Sequence, residues 1–477
     1  MNLYLSITFL LFSCFSLFGQ TDNVGIGTNS PDPSSQLELK SNTQGLLVPR
    51  LTSDQRIAIN NPAPGLLVFD TDIRTLFLFD GNQWFPLAIV TDNADFPPTE
   101  RTIDAAASLG YRVDISDLGI VSSTQDGRVF FFNYDGGNYT NMEEIISSSS
   151  NPISEKFGQD VAIDGNYLAI GAPGGNVDTG KVYIFERVGG VWTEQEILKN
   201  GTNPILGDGF GWSVSMSGNG LVAGAPLDDI FGNINEGSFT FYQRSSGSYT
   251  QSIKVFQPGG SGFMPGDFFA WDVDIDGIYI IVGAPGFSNR EGKAYYYRVT
   301  GTTLTLDHQE EYSFDVEPNT FYGYSVAIDS SLAIVGFPGI NTNAGGYHII
   351  GNFGNPIYGD EGLEFQQFRN SGPFGFPNVN SFLGASVSVD GDFYTVGAPH
   401  QIDPIFSANQ NNFENAKVDI YSHRKGSGAL FTSLIDTWLA KDQSINGMGI
   451  STAIMGLTPV VGNVGENRFY TKTFLSN

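Results

Sequence analysis

A unit that recurs seven times is the feature that most restricts the fold of this 477-residue chain. Each copy begins with an apolar residue followed by Gly, replaced by Ala in one copy, and continues with alternating apolar residues. The copies lie about 48 to 65 residues apart, which is typical of arrays of small structural units with variable loops. The seven starting pairs are Leu109-Gly110, Phe157-Gly158, Phe210-Gly211, Phe269-Ala270, Tyr322-Gly323, Leu383-Gly384 and Met448-Gly449.

A second landmark follows each pair at a constant distance. It reads Gly-Ala-Pro in four copies and Gly-Phe-Pro in a fifth, weakens to Gly462-Asn463 in the last, and is lost at Ser123 in the first. Because the two landmarks keep their distance while the loops vary, they indicate a rigid unit with adjustable loops. The intact landmarks occupy 171–173, 224–226, 283–285, 336–338 and 397–399.

The second copy shows how one unit should fold. Alternating apolar residues predict four short strands, with tight turns at Asp164-Gly165 and Gly189-Gly190 and no room for a crossover helix. One antiparallel sheet of this kind leaves an apolar face uncovered, whereas a ring of sheets buries it. The sequence therefore predicts an all-β, seven-bladed β-propeller of four-stranded antiparallel blades. The strands predicted in the second copy are 159–163, 167–171, 180–185 and 192–198.

These landmarks resemble the FG-GAP repeat, the unit of the integrin α-subunit β-propeller, in its short bacterial form. The resemblance extends over about residues 100–477 and is strongest in copies two to five. It implies that the loops joining strands two and three, and strand four to the next blade, crown one face of the ring.

The ends of the repeated region indicate how the ring closes. The last copy stops within its third strand, at 468–474, and the segment before the first copy occupies the position of an outer strand. We therefore expect a strand near 99–105 to complete the seventh blade, so that the propeller domain spans residues 96–477.

Residues 1–20 are almost continuously apolar and end in small and polar residues, which predicts a secretory signal peptide. The expected location is secreted or on the bacterial outer cell surface, with no transmembrane span in the mature chain. Two alternatives stay open, an uncleaved anchor, although a span needs ~20 apolar residues, and lipidation at Cys14. Cys14 is the only cysteine, so its removal with the signal would exclude disulfides, thiolate catalysis and Cys-based zinc sites.

Residues 21–95 are predicted to form a small β-rich N-terminal module. Short apolar strands surround one predicted helix at 52–59, with Thr52 as N-cap and Gln55 three residues later. The segment resembles the tail-fibre-like leader of exported proteins from Bacteroidetes-type bacteria. Because so small a module buries little apolar surface, we expect it to pack on the main domain or on copies of itself.

Charge and composition exclude two classes of protein. The chain has 50 acidic residues against 23 Lys and Arg and a net charge of −27, so its field repels nucleic acid. Its 40% hydrophobic residues, with 38 Phe, can bury a large core, which excludes wholesale disorder.

The resemblance makes calcium the candidate cofactor, because integrin-type repeats often carry an Asp-rich calcium-binding loop. Residues 272–277 match its first half, but Asp272 aligns with first-strand residues of other copies and Ile280 occupies a position that needs an oxygen ligand. We therefore expect no metal and no cofactor. One alternative is calcium in the loop that contains Asp228, Asp229, Asn233, Asn235 and Glu236, which otherwise reads as a solvated acidic loop.

Catalytic signatures are missing from the sequence. Four histidines are scattered without metal-ligand spacing, and there is no nucleophile elbow, phosphate loop or zinc motif. The chain is therefore predicted not to be an enzyme. A carbohydrate-active lyase or hydrolase on a propeller scaffold remains the alternative from that class.

The longest loops, at 226–237, 260–268 and 399–416, should lie on the crowned face and expose aromatic groups beside Asp and Asn. Such surfaces suit protein or carbohydrate recognition, although the same side chains would also suit packing of the loops onto the rim. We predict a secreted or cell-surface binding and adhesion protein, with a structural scaffold of the envelope or extracellular matrix as the alternative. The candidate ligand-binding residues are Asp228, Asp229, Phe231, Phe263, Phe287, Phe374 and His400.

Overall fold

The computed structural model consists almost entirely of β-strands, and its contacts divide the chain into two units, Met1–Trp84 and Phe85–Asn477. The residues that the structure describes are 24–71, 75–79, 84–86, 99–102, 109–134, 139–174, 179–200, 206–230, 234–258, 265–311, 319–329, 332–339, 345–351, 364–369, 382–391, 393–399, 417–426, 429–439, 448–455, 458–463 and 468–471.

The first unit contains two small sheets and one short helix. Its first sheet has two parallel strands, and its second has four strands in sequence order, of which the last crosses the boundary between the units. The elements are β1 (Val24–Ile26), β2 (Leu37–Leu39), β3 (Arg50–Leu51), α1 (Ser53–Ile57), β4 (Leu67–Asp70), β5 (Thr75–Phe79) and β6 (Trp84–Pro86).

Helix α1 begins where the sequence predicts. The Thr52 N–H donates to Gln55 Oε1 at 2.9 Å and the Gln55 N–H donates to Thr52 Oγ1 at 3.2 Å, a reciprocal cap of the first turn. The helix ends at Ile57, earlier than predicted. Arg56 is buried, donates to Asp70 Oδ2 at 2.9 Å and stacks on the Phe77 ring, so this ion pair ties α1 to the second sheet.

Among the described residues, the second unit contains seven four-stranded antiparallel sheets. Six of them are formed by consecutive strands, β8–β11, β12–β15, β16–β19, β20–β23, β24–β27 and β28–β31, and the seventh has the order β32-β33-β34-β7. The elements are β7 (Thr99–Thr102), β8 (Val113–Ser116), β9 (Gly119–Ser123), β10 (Val129–Tyr134), β11 (Tyr139–Ile145), β12 (Val161–Asp164), β13 (Tyr167–Ala172), β14 (Lys181–Val188), β15 (Val191–Leu198), β16 (Val214–Ser217), β17 (Gly220–Ala225), β18 (Ser238–Ser245), β19 (Ser248–Phe256), β20 (Val273–Asp276), β21 (Tyr279–Ala284), α2 (Phe287–Arg290), β22 (Lys293–Thr300), β23 (Thr303–Glu311), β24 (Ser325–Asp329), β25 (Leu332–Gly336), β26 (Gly346–Gly351), β27 (Glu364–Arg369), β28 (Ser386–Asp390), β29 (Phe393–Ala398), β30 (Lys417–Gly426), β31 (Ala429–Leu439), β32 (Met448–Met455), β33 (Thr458–Asn463) and β34 (Arg468–Thr471).

The sheets pack face against face in sequence order. The first strand of each sheet contacts the first strand of the next, and β32 of the seventh sheet contacts β8 of the first. Buried side chains fill the space between neighbours. One such core joins Phe131 of the first sheet to Leu168 of the second, and another joins Phe130 of the first sheet to Phe469 of the seventh. Each of these sheets thus covers an apolar face of its neighbour.

The repeated Gly landmarks are explained by close contact between neighbouring backbones. A Cβ atom added to Gly171 would overlap the carbonyl oxygen of Gly211, which belongs to the starting pair of the next copy. A Cβ atom added to Gly462 in the seventh sheet would likewise overlap the carbonyl oxygen of Gly110, which precedes the first sheet. Two Gly positions at a constant distance therefore let each sheet approach the next.

A strand from the beginning of the second unit completes the seventh sheet. Strand β7 pairs antiparallel with β34, with Arg101 opposite Phe469 and Thr99 opposite Thr471. The last three strands of the chain thereby gain a fourth partner that lies far away in sequence.

Deleting residues 96–106 should destabilise the second unit by at least about 2 kcal/mol, because β34 loses its outer hydrogen-bonding partner and becomes an exposed edge. Urea unfolding followed by circular dichroism measures the change. A deletion of 87–95, the segment of similar length that precedes 96–106 in the sequence, is the control. An unfolding midpoint unchanged by the first deletion would show that β7 is dispensable.

Candidate functional site

The first strands of the seven sheets carry a regular set of Asp and Ser side chains. Each first strand pairs with its own second strand and lies at the edge of its sheet, so among the described strands its other edge has no backbone ladder. Side-chain oxygens from one sheet accept hydrogen bonds from backbone N–H groups of the next. Asp160 Oδ2 accepts from Val214 at 2.7 Å, and Asp272 Oδ2 accepts from Val326 at 2.8 Å.

The same bond closes the series between the last sheet and the first. Ser451 Oγ in β32 accepts from the backbone N–H of Val113 in β8 at 3.0 Å. A second level lies two residues further along the strands, where Asp114 accepts from Ile163 at 2.8 Å. Four further hydrogen bonds belong to this second level. They join Ser215 to Ile275, Asp274 to Ile328, Ser388 to Ile454 and Asp274 to Ser215.

We call Asp114, Asp160, Ser215, Asp272, Asp274, Ser388 and Ser451 the inner belt. Its side chains provide the sheet-to-sheet hydrogen bonds that backbone groups alone do not make at this edge. The Asp-rich run at 272–277 belongs to this arrangement, because Val273–Asp276 is strand β20, as the alignment of the copies predicted. Its Asp residues bond to neighbouring sheets.

The inner belt brings four carboxyl groups close together. Burial, with a smaller contribution from neighbouring carboxylates, raises the pKa of Asp272 to about 8 and that of Asp114 to about 7. Burial likewise raises the pKa of Asp160 and of Asp274 to about 6. Arg112 lies beside this group, with its Nε 3.8 Å from Asp160 Oδ1. The carboxylates of the belt therefore hold protons at a pH where ordinary Asp residues are ionised.

Strand connections define two ends of the sheets. At one end, named the turn end, two-residue turns join strands one and two, as between Asp164 and Tyr167. At the other, the loop end, longer segments join strand two to three and strand four to the next sheet. Neighbouring loops bond to each other there, since the Gly266 N–H donates to Ile234 O at 2.9 Å. Length variation in the second, third and fourth sheets is thus confined to the loop end.

Two candidate ligand-binding residues, Asp228 and Asp229, lie in the loop between β17 and β18. Asp228 is 2% exposed, and its carboxylate is bound by Lys254 and by the Ser238 hydroxyl, both from adjacent strands. Asp229 is exposed and accepts from the Asn235 N–H at 2.9 Å. Asp228 therefore anchors the loop from inside, and Asp229 is the one of the two that faces solvent.

Phe287 is half-buried at the start of α2, where its ring packs beside the fourth sheet and under Lys293 Nζ at 4.7 Å. The structure thus places it as a packing residue of the loop end. The remaining candidates lie outside the described residues and stay predictions. They are Phe231, Phe263, Phe374 and His400.

Ile153, Leu206 and Ile234 are among the aliphatic side chains at the loop end that are exposed to solvent. Ile153 is 67% exposed, Leu206 64% and Ile234 61%. They come from the loops ahead of the second and third sheets and from the loop within the third. Single aliphatic residues in polar loops do not stand out in a sequence. Only the three-dimensional structure shows that these three are exposed at the same end of the sheets.

A buried polar cluster between the fourth and fifth sheets was also missed from the sequence, where the histidines seemed scattered. The Tyr322 hydroxyl and His348 Nδ1 are 3.0 Å apart, and Glu310 Oε1 lies 3.5 Å from the same nitrogen. Burial raises the pKa of Glu310 to about 7 and lowers that of His348 to about 4. These groups could exchange a proton, but His348 is only 2% exposed, so the cluster faces another sheet instead of a substrate.

Two properties of the described residues bear on ligands and membranes. Within them, His, Cys, Asp and Glu form no group of three or more with the geometry to hold a metal ion. Among the same residues, no helix has the length and apolar character needed to cross a membrane.

Comparison with known families identifies two regions of this all-β chain. Residues 25–100 match the phage tail like trimerisation region, and residues 144–185 and 192–239 match the FG-GAP repeat. The second match covers the second and third copies of the unit, so the FG-GAP resemblance is confirmed there. No curated protein matches the chain.

Proposed function

We propose that this protein is an exported, seven-bladed β-propeller that binds a protein or glycan ligand through the loop end of its sheets. The location that fits this role is the bacterial outer cell surface or the medium, reached through the apolar segment at 1–20. The proposed activity is binding and adhesion, without catalysis or a bound cofactor.

The propeller is supported by the cyclic order of the sheet contacts. Strand β32 contacts β8, Ser451 bonds to Val113, and the Phe132 and Phe469 rings meet at 4.9 Å between the first and seventh sheets. The FG-GAP match at 144–239 supports the same architecture. Seven sheets with buried faces on both sides and protected edges satisfy the packing requirements of a closed ring.

The single observation that carries the binding proposal is that loop length varies at one end of the sheets. Two-residue turns recur at the turn end, whereas the loop end has connections of different lengths and exposes Ile153, Leu206 and Ile234. Variable loops on a rigid scaffold are where binding residues are usually found. Exposed aliphatic groups beside polar residues suit recognition of another macromolecule.

We further propose that three copies assemble through the region at 25–100, the function that the description of the matched region names. Three propellers on one stem would bind a multivalent surface with greater avidity than one propeller, without any additional contact per copy. This arrangement suits an adhesion protein.

Replacing Ile153, Leu206 and Ile234 together with Ser should weaken ligand binding roughly 100-fold, because three buried aliphatic contacts of about 1 kcal/mol each would be lost. Glycan arrays and pull-downs from candidate target surfaces provide the ligand, and biolayer interferometry measures the affinity of each variant.

The matched control is Val188→Ser with Val191→Ser. These residues are similarly exposed, at 56% and 57%, but lie on the β14–β15 turn at the opposite end of the second sheet. The control should bind like the unchanged protein. Equal loss of affinity in both variants would count against the loop end as the binding surface, and binding unaffected by either would favour a scaffold role.

A further inference from the structure

The two-stranded sheet at the start of the first unit has one face made only of aliphatic side chains. Strands β1 and β2 run parallel, with Val24 beside Leu37 and Ile26 beside Leu39. Because alternate residues of a strand point to opposite faces, these four side chains share one face. All four are exposed, at 45% for Val24, 59% for Ile26, 54% for Leu37 and 42% for Leu39.

The opposite face of the same sheet is different. It carries Gly25 and Glu38, and the Glu38 carboxylate accepts a hydrogen bond from the Asp32 N–H at 2.6 Å. Charge and loop contacts are thus kept on one side, and the aliphatic face carries no charged side chain. Two more exposed aliphatic residues follow before β3, Leu46 at 64% and Leu47 at 80%.

A sheet of two strands with three residues each is not stable by itself in water. Its hydrogen bonds are few, and its four aliphatic side chains, each about half exposed, would be stabilised by further burial. The sheet therefore needs a partner surface, and that surface must be apolar and uncharged.

We propose that this aliphatic face, with Leu46 and Leu47, is the surface on which three copies of the chain meet, and that β1 and β2 form stably only in that assembly. The inference rests on the proposed trimer and adds the contact surface and the coupling of folding to assembly. The occupant is the same face of the two other copies, because an uncharged apolar face is self-complementary around a closed symmetry axis.

Two other occupants fit less well. A membrane surface is usually met by Trp or Tyr together with Lys or Arg, and the face contains none of these. A charged partner finds no complementary charge on it. The family match over 25–100 begins within β1 and includes all six aliphatic residues except Val24.

The test compares Ile26→Ser with Leu39→Ser, made together, against the unchanged chain by light scattering coupled to size-exclusion chromatography. A trimeric unchanged protein and a double variant with one third of its mass support the inference. A double variant that remains trimeric overturns it while leaving the proposed trimer intact. An unchanged protein that is monomeric at all concentrations overturns both. The matched control, Val188→Ser with Val191→Ser, should remain trimeric.

Hydrogen exchange on the unchanged protein gives a second readout that needs no variant. Amides of 24–39 should be protected at high protein concentration and lose at least tenfold of that protection on dilution to monomer, whereas amides of β12–β15 should not change. Equal protection of 24–39 at both concentrations would contradict the coupling of folding to assembly. Ligand binding at the loop end is measured per chain, so its failure is distinguishable from failure of this contact.

Discussion

Gly171→Ala is expected to destabilise the second unit by about 3 kcal/mol or more, one of the largest effects available from a single methyl group. Its Cβ would overlap the Gly211 carbonyl oxygen of the neighbouring sheet. That backbone cannot move freely, because the Gly211 N–H donates to Gly224 O at 2.9 Å. The added methyl group must therefore separate two sheets or distort one of them.

Urea unfolding followed by tryptophan fluorescence measures this loss. Gly189→Ala is the control in the same sheet, since a Cβ there has no atom within 4 Å and only the φ of +62° opposes it. We expect about 1 kcal/mol of destabilisation for that control. If the two variants lose equal stability, close contact between sheets is not what selects Gly at position 171.

Much of the fold of the second unit could be predicted because its information is local and repeated. The strands predicted from the second copy are confirmed by β12 to β15, since alternation and turn residues determine them within about 40 residues of chain. The four-stranded antiparallel sheets follow from the same pattern in the other copies.

The candidate site was harder to predict because burial depends on distant partners. Asp228 has the sequence context of a solvated acidic loop, yet Lys254 and Ser238 enclose its carboxylate. Those partners lie on β19 and β18, and no residue close to Asp228 in the sequence predicts that they contact its carboxylate. Phe287 poses the same difficulty, since an aromatic residue in a loop can either face a ligand or cover a sheet, and its ring packs against the fourth sheet.

The inner belt was visible in the sequence but was interpreted only as evidence against calcium. Alternate Asp and Ser residues in the first strand of each copy align with one another, as Asp160, Ser213 and Asp272 do. Their hydrogen bonds cross from one copy to the next. A repeat alignment compares copies as equivalents and therefore does not reveal contacts between them.

The free energy of unfolding of the second unit is expected to fall as pH rises from 5 to 8. This is the second prediction with a large expected effect. The native pKa values of about 8 for Asp272, about 7 for Asp114 and about 6 for Asp160 and Asp274 exceed the ~3.9 of an unfolded Asp. Between these limits the folded chain binds more protons than the unfolded chain, so unfolding becomes more favourable as pH rises. The total change should be roughly 2–4 kcal/mol after allowance for solvent screening.

Other groups modify this trend in known directions. Glu310, with a pKa of about 7, adds to it for the same reason of burial. His348 opposes it at the acid end, because a native pKa of about 4 makes the folded chain bind fewer protons than the unfolded chain below pH 6.5. Glu144 and Glu155 have lowered pKa values and also lose stabilising interactions on acidification. The stability maximum should therefore lie at or below about pH 5.

Asp272→Asn isolates the contribution of the inner belt. The amide keeps an oxygen to accept the Val326 N–H but carries no charge, so the variant should be more stable than the unchanged protein at pH 8, with a clearly smaller difference at pH 5 that disappears only below the ~3.9 of an unfolded Asp. Urea midpoints at the two pH values measure the difference, and Asp229→Asn in the exposed loop is the matched control, with the same small effect at both. Stability that increases from pH 5 to 8, or an Asp272→Asn effect independent of pH, would mean that Asp272 is ionised throughout and that the belt acts only through its hydrogen bonds.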